Sequence, residues 1–140
     1  MENLKESKLP MITITSIVVE PNPAPIAAEL SLLLEFVSER VVICGTWNFS
    51  FIVDCAARKL VIPLGDIRNQ VYAAGMTNSV KLSVACIDLT DVPRHVLLNM
   101  GLVQATLTDG DEHIVDVKLV TQVTGDKGSA LLRVIYNPLE

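Results

Sequence analysis

His95 and His113 are the only histidines of the 140-residue chain, and with Cys44, Cys55 and Cys86 they are its first candidates for nucleophilic, acid–base or metal chemistry. None has the sequence neighbours that such chemistry needs. A nucleophile must lie beside a base, and no Gly-x-Ser-x-Gly elbow or cysteine–histidine motif accompanies either histidine. Metal sites draw on closely spaced ligands of the HExxH or CxxC kind, and the sequence has neither. The cysteines are odd in number and widely spaced among apolar neighbours, which predicts buried free thiols in a reducing compartment. Asp109, Asp111 and Glu112 crowd one turn, where solvated acids are expected, and Gly101 belongs to no phosphate-cradling loop. These readings predict a protein that is not an enzyme and uses no cofactor or metal.

Composition narrows the remaining classes. A chain of this length fits one domain and can bury roughly 68% of its unfolded surface without disulfide or metal staples. Half of its residues are apolar, with few aromatics, and the excess of Val, Leu and Ile favours strands. No apolar stretch reaches the roughly 18 residues of a membrane span, and the opening MENLKESKLPM lacks the apolar core of a secretory signal. The chain is therefore expected in the cytosol or nucleus, and Asn48-Phe49-Ser50 matches the glycosylation sequon by chance. A net charge of −5 argues against direct nucleic-acid binding, which needs clustered Lys and Arg, and suits a basic protein partner instead.

Residues 1–10 read as a flexible tail and residues 11–140 as a single domain of short strands. Met11 to Glu20 is a β-branched run stopped by the prolines of Pro21 to Pro25, which cannot donate ladder hydrogen bonds. Leu30, Leu32, Leu34 and Phe36 alternate as in a strand, with a helix competing because Leu and Glu favour helices. After Val41 to Cys44, Trp47, Phe49, Phe51 and Val53 alternate against Asn48, Ser50 and Asp54, the clearest one-face-buried strand. Arg58 to Leu64 reads as another. Asp66 to Ala74 reads as one or two helical turns, with Asp66 as N-cap and Gly75 as terminator. In the next strand Val80, Leu82, Val84 and Cys86 point inward. Asp91 to Asn99 is the best helix, with a proline near its first turn. Leu102 to Leu107 and His113 to Val123 flank an Asp109-Gly110 hairpin turn, and Ala130 to Tyr136 is the last strand. Eight or nine short strands with turn-marked ends predict an all-β sandwich with one or two short helices in loops.

A protein without catalytic motifs must work through its faces and edges. His113 to Thr121 carries apolar residues on both: Val115, Val117 and Leu119 in one row, Ile114 and Val120 in the other with Asp116 and Lys118 between them. One row lines the core, and the other is an apolar surface fit for docking unless a further layer covers it.

In their order and spacing these segments resemble the anti-silencing-function family of histone chaperones. Asn22-Pro23-Ala24-Pro25 followed by Leu30, Leu32, Leu34 and Phe36 looks like the family's first loop and second strand. Trp47 with Phe51 and Ile52 resembles its tryptophan-bearing strand. Val80 to Pro93, Gly110 to Ile114 leading into Val120, and Leu131, Arg133 and Asn137-Pro138 echo later segments. The resemblance implies an immunoglobulin-like β-sandwich in the nucleus, also present in the cytoplasm. Such a protein binds histones H3–H4 in nucleosome assembly and disassembly, and meets other chromatin assembly proteins, with no membrane contact. It implies a sheet face gripping the H3 helix, and a histone tail added as a strand beside the carboxyl-terminal segment.

Carried over by position, the histone-binding residues are Leu102, Val103, Val115, Val117 and Leu119, with Asp54 surviving from an acidic loop. This side turns Ile114 and Val120 inward and sends Asp116 and Lys118 towards the core, a conflict that a one-residue register slip would remove. Val115 stands where the family has an arginine and Leu119 where it has a tyrosine. Ile43, Cys44 and Gly45 replace the acidic pair that holds co-chaperone peptides. The alternative is a similar sandwich acting as a carrier or scaffold for another protein or a lipid held between the sheets.

Overall fold

The computed structural model describes residues 12–54, 59–98, 100–125 and 130–140, with the backbone but not the side chain of Asp54. The expected tail at residues 1–10 lies outside the described residues, as does Cys55. The described chain forms nine strands: β1 (Ile12–Glu20), β2 (Ala24–Pro25), β3 (Leu30–Ser38), β4 (Val42–Asp54), β5 (Lys59–Tyr72), β6 (Thr77–Val84), β7 (Gly101–Asp109), β8 (Glu112–Thr124) and β9 (Leu132–Ile135). One helical turn, α1 (Arg94–Leu97), interrupts them. β1-β3-β6 form one antiparallel sheet, and β2-β9-β8-β7-β4-β5 form the other. The two sheets pack as an immunoglobulin-like sandwich.

The inward rows fill the space between the sheets. Leu30, Leu32, Leu34 and Phe36 of β3 are no more than 2% exposed, which settles the strand against its helical competitor. Across from them stand Trp47, Phe49, Phe51 and Val53 of β4, equally buried. Phe36 meets Trp47 and Tyr72 edge-on at ring-centroid distances of 5.5 and 4.9 Å, a geometry that aligns ring edges with π faces. At the carboxyl end, the buried Arg133 donates from Nη1 to the Ile26 and Ala28 carbonyls at 3.0 and 2.9 Å and from Nη2 to that of Glu29. It thereby ties β9 to the loop before β3. Burial pushes its pKa below the usual guanidinium value.

Three local expectations give way to tertiary pairing. Asp66 to Tyr72 is strand, because β5 continues past Gly65 along β4 as far as Tyr72 opposite Val42. Asp66 caps nothing; its carboxylate accepts from Arg68 Nε at 2.8 Å. Left-handed backbone at Asn69 (φ 59°) coincides with a register shift against β4 where one or two helical turns were expected. The Asp91–Asn99 helix is reduced to α1, whose N-cap is Pro93 and which has no side-chain cap. Cys44 and Cys86 are free but exposed: Cys44 lies at an irregularity of β4 and Cys86 beyond the end of β6. Their apolar neighbours in sequence therefore do not enclose them.

Candidate functional site

β8 supplies the residues on which the expected docking face rests, and its alternation decides which row is available. Val117, Leu119, Thr121 and Val123 are 7, 1, 1 and 4% exposed and face the other sheet. Val103, opposite Leu119 on β7, is 2% exposed. Val115 is half-buried and packs against the same core. The row expected to grip a histone helix is thus the wall of the core. The physical reason is the charged pair: exposing Val115, Val117 and Leu119 would bury Asp116 and Lys118, and burying unpaired charge costs far more than exposing Val120. The register that leaves Asp116 and Lys118 in water puts Val120 outside with them, while Ile114, at the irregularity of the β7–β8 pairing, is half-buried and packs against the core. Of the six predicted site residues, Leu102 alone has its side chain shown on the outer face, half-buried. Asp54 pairs through its backbone with Lys59.

The outer face of the six-stranded sheet carries a different apolar row. Val61 of β5 is opposite Ile52 of β4, Ile52 opposite Leu102 of β7, and Leu102 opposite Val120 of β8. The Tyr136 amide donates to the Val120 carbonyl at 2.9 Å, just beyond the Thr121–Ile135 pair, so Tyr136 extends the row past the end of β9. Its hydroxyl donates to Gln122 Oε1 at 2.7 Å, which holds the ring over the same face. The result is a ladder of five apolar side chains running across five neighbouring segments of the sheet. Val61, Val120 and Tyr136 remain 58, 42 and 48% exposed. Neighbouring strands lie about 4.8 Å apart, so the ladder is roughly 19 Å long.

The rows on either side are mixed, with the exposed Met100 on the side of Lys59 and with Ser50 and Gln104 on the side of Lys118. Ile52, Leu102 and Val120 share a depression of about 300 Å3 with Lys59, Met100, Gly101, Gln104 and Lys118. By register, Lys59 stands one same-face position beyond Val61 on one flank, and Lys118 one position beyond Val120 on the other. Both lysines are exposed. Farther along the face, Thr46, Asn48, Ser50, Gln104, Thr106 and Thr108 line a groove of about 390 Å3. At its margin Asp116 Oδ1 accepts from Thr106 Oγ1 at 2.7 Å and lies 3.0 Å from His113 Nε2. The Thr106 hydrogen bond, then that of His113, holds the Asp116 carboxyl below the usual carboxylate pKa.

Among the described residues, no three His, Cys, Asp or Glu side chains converge as ligands. The sequence reading missed Ile52, Val61 and Tyr136. One signal was present: Ile52 is apolar in the row where Asn48 and Ser50 are polar, so the alternation of β4 breaks on its outer side. No family model and no curated protein matches this chain.

Proposed function

We propose that this chain is a non-enzymatic protein-binding domain that takes a helix of its partner across the outer face of its six-stranded sheet. The ladder from Val61 through Ile52, Leu102 and Val120 to Tyr136 carries this reading. An apolar row in contact with water stabilises nothing while it is uncovered, and gains when a partner removes it from water. At about 1.5 Å rise per residue, the ladder matches roughly 13 residues of helix, whose one-sided apolar stripe would lie along it.

The partner that the sequence resemblance suggests is a histone H3–H4 dimer, and the net charge of −5 favours a basic partner at long range. In that case the domain acts as a histone chaperone, with the H3 helix on the ladder rather than on the inner row of β8. The carrier alternative has less support. A lipid between the sheets would have to displace Phe36, Trp47, Phe49, Leu107 and Leu119, all at most 1% exposed.

Calorimetric titration with refolded H3–H4 tests the histone reading, using the native chain beside a Leu102→Arg, Val120→Arg double variant. The expected result is saturable binding by the native chain that the folded variant loses. Undiminished binding by the variant would remove the ladder from the interaction. No binding by the native chain would remove the histone and leave helix docking to be judged with other helices.

A further inference from the structure

β1, β6, β2 and β5 form the edges of the two sheets, and three of them carry features that keep added strands away. β5 contains Pro63 and shifts register against β4 three times. β2 is two residues long, and beyond it the Asn22 carboxamide takes both backbone groups of Ile135. Its Oδ1 accepts from the Ile135 N–H at 3.0 Å and its Nδ2 donates to the Ile135 carbonyl at 2.8 Å. β1 shifts register between Ile14 and Ser16, and Asn137 Nδ2 donates to the Ile17 carbonyl at 2.8 Å. β6 differs. It pairs with β3 through all eight of its residues without a shift, and it contains no proline.

The Ile17 carbonyl also fixes which groups of β6 are unpaired. It points out of the sheet, so Ile17 and Leu34 exchange no hydrogen bonds, and Leu34 turns its backbone groups to Val80. By alternation Thr77, Ser79, Lys81 and Ser83 turn theirs outward, and all four residues are exposed. Among the described residues, no backbone group of another segment bonds to them. We propose that this edge pairs with the same edge of a second copy of the chain, antiparallel about a two-fold axis at Val80. Thr77 then faces Ser83 of the other copy and Ser79 faces its Lys81, so every outward backbone group of these residues is paired. Val80 meets Val80, which continues the inward row from Leu34 into the second copy. Charge selects this register. Moving the axis to Lys81 would set two lysines face to face, whereas the axis at Val80 sets each lysine against a serine. Glu35 lies beside Ser79 on β3. Lys81 of one copy is therefore two strand spacings, about 10 Å, from Glu35 of the other, within the combined reach of their side chains.

A contact one strand wide is at the small end of interface sizes, so dimers are expected only towards about 0.1 mM and above. The test is sedimentation velocity of the full chain from about 10 µM to about 1 mM, with thermal unfolding to show that each variant is folded. Ser79→Pro removes an outward N–H without touching a β3 hydrogen bond, and should weaken the dimer about tenfold or more. Lys81→Glu, which brings carboxylates together, should weaken it too, and Glu35→Lys combined with Lys81→Glu should restore it. A native chain that stays monomeric throughout would overturn the proposal, whatever other strand the edge accepts. A dimer that survives Ser79→Pro but is lost in the Leu102→Arg, Val120→Arg variant would overturn it as well, because the second copy would then sit on the ladder. Failure of the charge exchange to restore the dimer would overturn the register about Val80.

Discussion

Val117 and Val120 lie three positions apart on β8 and have opposite environments, 7% and 42% exposed. Truncating Val117 to Ala leaves a hole between the sheets and is expected to cost about 2 kcal/mol in denaturant unfolding. The same change at Val120 should stay within about 0.5 kcal/mol and act on binding instead. A larger cost at Val120 than at Val117 would mean that β8 is turned the other way. Asp116 adds a pH prediction. Its folded-state pKa is depressed, so its small contribution to stability is present above the ordinary carboxylate range and is lost as pH falls through the depressed value. Thr106→Val removes the larger cause, and the Asp116 pKa followed by NMR should rise towards its ordinary value. An unmoved titration would show that the Thr106 hydroxyl does not hold that carboxylate.

At the scale of elements, strands with one buried face were legible because period-two alternation carries their burial directly, as in β3, β4 and the β7–β8 hairpin. The failures have a common cause. Asp66 to Ala74 and Asp91 to Asn99 have local helix signals, but pairing with β4 claims the first, and the second keeps a single turn. The orientation of β8 was ambiguous because both of its rows are apolar; only the charges between Ile114 and Val120 mark the wet side. The ladder was illegible because it is built from residues of four strands and one segment beyond a strand, brought into line only by register. Gly101, at the start of β7, lets β4 approach beneath the ladder. A Cβ there would stand 2.9 Å from the Ile52 carbonyl oxygen and 3.0 Å from the Phe51 ring. Gly101→Ala is therefore expected to cost about 1–3 kcal/mol and to disturb Ile52. A neutral result in thermal unfolding would contradict that close approach.

For the whole molecule, the two sheets serve different ends. Both sheets close the core and present an outer face to solvent, and the apolar ladder lies on the larger one. Five of the six aromatic residues are spent on the interior, and Tyr136 alone is spent on the outer face. The fold class followed from composition and alternation; the partner did not, because it depends on which charges surround a row that only the assembled sheet creates. Amide NMR of the uniformly labelled chain, titrated with a synthetic leucine-stripe helical peptide, tests the central claim most directly. The account predicts shifts concentrated at Ile52, Val61, Leu102, Val120 and Tyr136, with β1, β3 and β6 unmoved. Shifts confined to β1, β3 and β6, or no shifts at saturating peptide, would contradict it.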